Sequence, residues 1–181
     1  MIIYTPLGLD DYELCHPVDP DDFETITDQI NGQPRQKTWT PIAMTLIHED
    51  EGRTLLPSDA PWLGSWALIF RPSAILALGA LLREYGELLP LQCSEAKLSI
   101  FNPTQVVDAL DEERSSVSRF DDGRLMRIKR YELRPDAIRG VEIFKIPNRR
   151  VSRTFVGQQF VDLWNQAGLK GLTFEQVKVV D

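Results

Sequence analysis

The segment PSAILALGALLREYGELLPLQCSEAKLSIF, residues 72–101, decides the fold class. Its first half places apolar side chains at helical spacing. They are Ile75, Leu76, Leu78, Leu81 and Leu82. We expect Ser73 to act as the N-cap of this helix and Gly86 to end it as a left-handed cap. The second half predicts two strands, at residues 87–93 and 97–101. A helix followed by a hairpin differs from the strand–helix–strand repeat of a parallel sheet.

Outward from this segment, short strands are predicted more often than helices. Further helices are expected at residues 21–30, where aspartates favour a helix N-terminus, and at residues 158–166. Strands are predicted at residues 1–4, 39–47, 66–70, 116–120, 125–133, 141–146 and 172–180. Residues 104–111 are predicted to form a loop or a single helical turn. Asp121-Asp-Gly123 is a strong hairpin signal. The sequence therefore predicts an α+β fold over residues 1–181, a single domain with a largely antiparallel sheet and two or three packed helices.

Charge is distributed unevenly along the 181 residues, whose net charge is −7. Residues 1–60 contain 12 acidic and 3 basic residues, whereas residues 121–181 contain 8 acidic and 12 basic residues. A dipolar surface of this kind speeds encounter with a partner of opposite charge, although a solubilising acidic face explains it equally well. Arg127-Ile-Lys-Arg130 beside Tyr131 has the composition of a nucleic-acid patch, but the negative total charge opposes a strong nucleic-acid binder.

The sequence favours a cytoplasmic protein that has no membrane partner. It contains no run of eighteen apolar residues, the length typical of a membrane span, and its first residues lack the pattern of a secretory signal. Cys15 and Cys93 are isolated and show no CxxC spacing, so we expect reduced thiols.

Residues suited to catalysis are scarce, since the chain has two histidines and no GxGxxG, GxxxxGK[ST] or GxSxG motif. Cys15 and His16 could form a nucleophile pair, but neighbours on an extended chain point to opposite sides. The segment His48-Glu-Asp-Glu51 could supply metal ligands but lacks a known spacing, which favours a polar turn. Asp108 and Asp111 are the best carboxylate pair for acid–base or metal chemistry.

Several ordered segments carry a resemblance to a known family. They are Ala67–Leu76, Gly86–Leu91, Val106–Asp111 with Ser115, Ile143–Phe144, Phe155–Val156, Phe160–Asp162 and Gly168–Phe174. From about Trp62 onward, the chain resembles the eleventh immunity protein family of bacterial polymorphic toxin systems. Residues 1–61 form an acidic lead segment outside this resemblance.

The resemblance implies a small cytoplasmic protein that binds and blocks a toxin encoded beside it, with no catalytic residue, cofactor or metal. It also implies that an HNH-type nuclease is a candidate toxin. An acidic inhibitor surface could occupy the basic substrate groove of such an enzyme. The predicted toxin contacts are Asp21, Asp22, Glu49, Asp50, Glu51 and Trp62. Two alternatives stay open at this stage: a metal-dependent hydrolase that uses Asp108 and Asp111, and a non-catalytic scaffold protein.

Overall fold

The computed structural model describes residues 1–147 and 151–180. This part of the chain contains three helices and fourteen short strands, so the predicted α+β class is confirmed. The helices are α1 (Asp22–Gln29), α2 (Pro72–Tyr85) and α3 (Gln158–Gln166). The strands are β1 (Ile3–Gly8), β2 (Leu14–Pro17), β3 (Met44–Ile47), β4 (Glu49–Asp50), β5 (Arg53–Thr54), β6 (Ile69–Phe70), β7 (Gly86–Leu91), β8 (Leu98–Pro103), β9 (Ser116–Arg119), β10 (Leu125–Arg130), β11 (Glu132–Leu133), β12 (Ile143–Phe144), β13 (Phe155–Gly157) and β14 (Leu172–Val179).

Two sheets and three two-stranded ribbons organise these strands. The larger sheet has five strands in the order β11-β14-β1-β13-β12, and the smaller sheet has the order β6-β8-β7. The ribbons are β2–β3, β4–β5 and β9–β10. The pairing is antiparallel except between β11 and β14, which run parallel.

Three apolar clusters lie between the sheets, the ribbons and the helices. The first combines α2 and α3 with one face of each sheet, and Phe70, Phe101 and Trp164 are among its buried side chains. The second lies on the opposite face of the smaller sheet, under α1 and the β2–β3 ribbon. The third lies on the opposite face of the larger sheet, under the β9–β10 ribbon. Each sheet thus contributes buried side chains from both of its faces.

The acidic lead segment is built into the larger sheet. We predicted a first strand at residues 1–4, but β1 extends to Gly8 and lies between β13 and β14. Pro6 is tolerated within it because β13 pairs only with Ile3 and Tyr4, so the later part of β1 has β14 as its one neighbour.

Helix α2 forms where it was predicted, but both of its expected caps are wrong. Pro72 is the first helical residue, with Arg71 at the N-cap position, and the Ser73 hydroxyl donates a hydrogen bond to the Asp59 carboxylate. Gly86 is extended, with φ 176°, and a Cβ at this position would collide with the backbone oxygen of Asn102. Close approach of β8, not a left-handed turn, therefore requires this glycine. Leu76 does not widen the buried stripe, since its side chain is 90% exposed.

Other predicted elements agree in place and differ in length. Helices α1 and α3 match residues 21–30 and 158–166 within one residue. The strand expected at residues 39–47 is reduced to β3, and the Trp39 indole donates instead to the carbonyl of Pro90 at 2.7 Å. The strand expected at residues 125–133 is divided into β10, which pairs with β9, and β11, which pairs with β14. The strands expected at residues 66–70 and 141–146 are reduced to β6 and β12.

Candidate functional site

An acidic hairpin, β4–β5, follows directly from the β2–β3 ribbon. Glu49 pairs with Thr54 and Asp50 pairs with Arg53. Glu51 and Gly52 make the turn with positive φ angles of 48° and 77°, the geometry of a tight two-residue hairpin. Glu49, Asp50 and Glu51 are all exposed, so the polar turn predicted here is confirmed as the tip of a hairpin.

The negative charge of the acidic hairpin is largely displayed to solvent. Arg53 is the cation of the hairpin, and its guanidinium lies 3.5 Å from Asp11 in the lead segment. Among residues 1–147 and 151–180, no ion pair includes the carboxylate of Glu49, Asp50 or Glu51. Three like charges therefore lie side by side with one cation opposite them.

A buried carboxylate anchors the base of the acidic hairpin. The side chain of Glu13 is 2% exposed and accepts hydrogen bonds from Arg71 Nη2 at 2.6 Å and Arg71 Nε at 3.1 Å. It also accepts from the backbone N–H of Ser58 at 3.0 Å. A buried charge with several donors is strongly held, because removal of one partner leaves the other unpaired. Glu13 thus fixes the chain that precedes β2 against the segment that precedes α2.

His48 connects this buried anchor to the surface. Its Nδ1 lies 3.3 Å from Glu13, and its Nε2 lies 2.6 Å from Glu95 in the turn between β7 and β8. The two ring nitrogens of His48 thus contact two different carboxylates, one buried and one at the surface. Glu95 therefore adds a carboxylate beside the acidic hairpin. Sequence reasoning missed Glu95 because the contact spans 47 residues and leaves no local pattern.

The predicted contacts Asp21 and Asp22 lie elsewhere. They mark the N-terminal end of α1, where Asp19 accepts a hydrogen bond from the Asp21 N–H at 3.0 Å. In the β2–β3 ribbon, Pro17 pairs with Met44 at the α1 end, and Leu14 pairs with Ile47 at the hairpin end. The ribbon is four residues long, which separates its ends by about 10 Å. The structure thus places the two acidic groups at opposite ends of one ribbon.

Trp62, the predicted aromatic anchor, is partly buried. It packs against the first apolar cluster, and its ring covers Gly8 in β1. Trp62 also pairs with Leu14 through the backbone. Its N–H donates to the carbonyl of Glu13, and its carbonyl accepts the N–H of Cys15. A more exposed apolar side chain near the acidic hairpin is Leu56, which is 52% exposed and whose N–H donates to the carbonyl of Asp11 at 2.7 Å. The sequence pattern gave no reason to prefer it.

The carboxylates Asp108 and Asp111 are engaged in local contacts. Asp108 lies 3.3 Å from Arg134, and Asp111 accepts the backbone N–H of Arg114 at 3.0 Å. The residues that the structure describes contain no group of three or more His, Cys, Asp or Glu side chains that could hold a metal ion. Asp111 therefore orients the turn that leads into β9.

Cys15 and His16 do not form a nucleophile pair. The thiol is fully buried, and burial, with smaller effects from Cys93 and Glu13, raises its pKa to about 12. A thiol with this pKa is protonated at neutral pH and is a poor nucleophile. The His16 ring packs edge-on against Phe23 with their centres 5.6 Å apart.

The basic segment at residues 127–130 belongs to the β9–β10 ribbon. The inward-facing side chains of this ribbon, Val117, Leu125 and Ile128, pack on the third apolar cluster. Arg130 lies 3.3 Å from the buried carboxylate of Glu132. The exposed basic side chains of residues 127–130 therefore belong to the outer face of a strand whose inner face packs on the core.

Part of the chain matches a known protein family. No helix in the described residues combines the length and apolar character of a membrane span. No curated protein matches the sequence. A family match covers residues 95–179, from the turn before β8 to the end of β14, whereas residues 62–94 of the predicted resemblance lie outside it. Over residues 95–179 the chain matches the model of the immunity protein family (Imm11), which confirms the resemblance inferred from the sequence.

Proposed function

We propose that this chain is a cytoplasmic immunity protein that binds a cognate bacterial toxin and neutralises it by stoichiometric occlusion, without catalysis. The observation that carries the proposal is the match of residues 95–179 to the immunity protein family. The engaged state of Asp108 and Asp111 and the buried, protonated thiol of Cys15 are consistent with a binding function.

The acidic hairpin is the proposed centre of the toxin-binding surface. Its exposed carboxylates Glu49, Asp50 and Glu51 form a compact negative surface beside Glu95. A nuclease binds the phosphates of its substrate with cationic side chains, so its active-site groove is basic. The hairpin could enter such a groove in place of the substrate, and complementary charge would speed the encounter. A nuclease is therefore the proposed partner, and the family resemblance suggests the HNH type.

The other predicted contacts would extend this surface. Asp21 and Asp22 follow the far end of the β2–β3 ribbon, which is itself about 10 Å long, and one standard interface is wide enough to cover both ends of this ribbon. Such an interface buries about 1,600 Å² in total. Trp62 would contribute its exposed edge only, because the ring is partly packed on Gly8. Leu56 is a more accessible apolar anchor close to the acidic hairpin.

Co-expression tests this function. The chain and the toxin gene encoded beside it are placed under separate promoters in a bacterial host, and growth is scored with and without induction of the chain. We expect growth to be restored and the two proteins to co-purify in a one-to-one complex. Toxin-induced death that is unchanged by the chain, without a complex, would contradict the proposal. A catalytically inactive toxin variant forms no product. If this variant still binds the chain, the protection comes from occlusion of the toxin and not from removal of its product.

A further inference from the structure

A cavity of about 390 Å³ lies between α1 and the segment that leads into β3. Pockets that hold small ligands begin at about 300 Å³, so this cavity has room for one long side chain of a partner. It is lined by Asp22, Thr25 and Gln29 of α1, by residues 38–43 and by Gln92. Most of these residues are exposed, so the cavity opens to solvent.

One wall of the cavity follows from the helical period of α1. Asp22 is the first residue of the helix, and Thr25 and Gln29 follow it by three and seven positions, so the three lie on one face. Ile26 and Ile30, on another face of α1, pack in the second apolar cluster. Packing of α1 therefore leaves a carboxylate, a hydroxyl and an amide on the cavity side.

The opposite wall contains the aromatic residue Trp39. Its indole Nε1 donates to the carbonyl of Pro90 at 2.7 Å, and its side chain packs against the second apolar cluster. The chain after it is fixed to Gln92, whose N–H donates to the Ile42 carbonyl at 2.9 Å. The wall is thus held by the fold itself, so a ligand would lose little free energy in ordering it.

The charge of the cavity favours a cation. Asp22 is the one charged side chain among the described residues that line it. The N-terminal end of a helix carries about half a positive charge, but the carboxylates of Asp19, Asp21 and Asp22 outweigh it here. A positively charged group of a partner therefore complements this cavity.

A guanidinium fits these walls better than an ammonium does. It is planar and stacks on an indole ring, and a carboxylate can accept two of its five N–H donors at once. The side-chain amide oxygens of Gln29 and Gln92 are further acceptors in the lining. Trp39 and Asp22 together thus favour an arginine side chain.

A shallow groove joins this cavity to the surroundings of the acidic hairpin. The groove is lined by Pro41 and residues 91–97, and it shares Pro41 and Gln92 with the cavity. At its other end Glu95 contacts His48, which directly precedes β4. Lys97 is the cation among the described residues of the groove. One continuous surface therefore extends from Asp22 to Glu95.

We propose that this cavity binds an arginine side chain of the toxin, with the guanidinium paired to Asp22 and stacked on Trp39. The inference rests on the proposed function, because it names the toxin group that Asp22 contacts. The affinity of the cavity for a guanidinium is a property of the isolated protein and is measured without a toxin.

Titration of the ¹⁵N-labelled full-length chain with butylguanidinium, followed by NMR, tests the proposal. The indole N–H signal of Trp39 is assigned from its loss in Trp39→Phe. We expect this signal to shift in a saturable way, with a Kd of about a few millimolar. Butylurea has nearly the same shape without the charge, so it should bind about tenfold more weakly. Asp22→Asn should weaken butylguanidinium binding by about tenfold as well.

Asp19→Asn is the matched control for Asp22→Asn. It removes the same charge from the same end of α1, and the asparagine oxygen can still accept the Asp21 N–H. Asp19 does not line the cavity, so the affinity for butylguanidinium should change by less than about twofold. Trp39→Leu, followed at the backbone N–H of Gln92, should weaken binding by about fivefold.

The outcomes that contradict the proposal are distinct. Equal binding of butylguanidinium and butylurea, or an unchanged affinity in Asp22→Asn, would overturn it. The Asp22 side chain is only partly buried, so Asp22→Asn remains informative even if Trp39→Leu fails to fold.

A measurement with the toxin tests the identity of the occupant. Asp22→Asn should raise the dissociation rate of the complex by about tenfold, and Asp19→Asn should raise it by less than about twofold. Equal dissociation rates for wild type and Asp22→Asn would show that a toxin arginine does not occupy the cavity, even where butylguanidinium binds. Growth rescue by wild type in co-expression does not depend on this one contact, so the two proposals can fail separately.

Discussion

The molecule has two hairpins of opposite charge, the acidic hairpin and the β9–β10 ribbon, and they differ in how far their charges are paired. In the β9–β10 ribbon three cations have acidic neighbours within the ribbon or next to it: Arg119 pairs with Glu112, Arg124 lies 2.7 Å from Asp122, and Arg130 lies 3.3 Å from Glu132. In the acidic hairpin the single cation, Arg53, reaches away to Asp11 at 3.5 Å. The basic ribbon neutralises much of its own charge, whereas the acidic hairpin displays its charge to solvent.

The two hairpins also differ in what holds them. The β9–β10 ribbon is held by apolar side chains, since Val117, Leu125 and Ile128 pack on the third apolar cluster. The acidic hairpin has no such face, because all four of its paired residues are exposed. It depends instead on the polar anchor of Glu13, Arg71 and His48 at its base. A surface that displays like charges thus requires support from a buried network and not from its own strands.

The largest effect is expected from the loss of this anchor. Glu13→Ala leaves the Arg71 guanidinium, which is mostly buried, without its carboxylate, and also removes the acceptor of the Ser58 N–H. Breaking a buried ion pair from one side typically costs about 3 kcal/mol or more. We expect the free energy of unfolding, measured by urea denaturation, to fall by that amount.

A matched pair of variants sharpens this result. Glu13→Met combined with Arg71→Met removes both charges, and the double variant should be less destabilised than Glu13→Met alone. Asp122→Ala in the β9–β10 ribbon removes an exposed ion pair and the hydrogen bond that Asp122 accepts from the Arg124 N–H, and it should cost less than about 1.5 kcal/mol. Equal losses for Glu13→Ala and Asp122→Ala would remove the distinction between the two hairpins.

The second effect is on the rate of toxin association. Asp50→Lys with Glu51→Lys reverses two displayed charges and should slow association with the cognate toxin by about tenfold or more at low salt, with a smaller loss at high salt. Stopped-flow or surface-binding kinetics measure this rate. The control is Asp121→Lys with Asp122→Lys, which makes the same charge change at the tip of the β9–β10 ribbon. If both double variants slow association equally, net charge and not the acidic hairpin steers the encounter.

The sequence predicted what local patterns determine. Helices α1 and α3 and the hairpin at Asp121-Asp-Gly123 depend on spacing and turn residues within a few positions of one another. The sequence also showed a resemblance to the immunity protein family, and the family match confirmed this resemblance over residues 95–179. The strand at residues 125–133 was mispredicted because its second part pairs with β14, which lies about 45 residues further along the chain.

The candidate site was predicted only in part, for the same reason. The exposed positions of Glu49, Asp50 and Glu51 follow from their turn-like sequence. The contacts that support them do not, because Glu13 meets Arg71 across 58 residues and His48 meets Glu95 across 47. The contact of Glu13 with the Ser58 N–H gave no signal at all, since almost any residue supplies a backbone N–H. Long-range polar contacts to the backbone leave no pattern in a single sequence.

A smaller effect is expected at the two turn glycines. Gly52 and Gly123 have φ angles of 77° and 85°, and a Cβ at either position would meet no atom within 4 Å. Alanine at either site therefore costs only the left-handed backbone strain, about 1 kcal/mol. Urea denaturation should give similar losses for Gly52→Ala and Gly123→Ala. Gly52→Ala should slow toxin association, whereas Gly123→Ala should not. If the two variants slow association equally, the assignment of binding to the acidic hairpin is wrong.

The smallest effect on stability is expected at two exposed arginines, Arg53 and Arg124, whereas the direction of their effect on toxin association is informative. Arg53→Ala and Arg124→Ala each remove a surface ion pair, so each should change the free energy of unfolding by less than about 0.5 kcal/mol. Their effects on toxin association should differ, because Arg53 is the cation within the acidic hairpin. Its removal makes the displayed surface more negative, so association with a basic groove should become faster at low salt. Arg124→Ala makes the same charge change on the other hairpin and should leave the rate unchanged. If Arg53→Ala associates more slowly, the toxin contacts the Arg53 guanidinium directly. The part of the toxin surface that faces Arg53 would then be acidic.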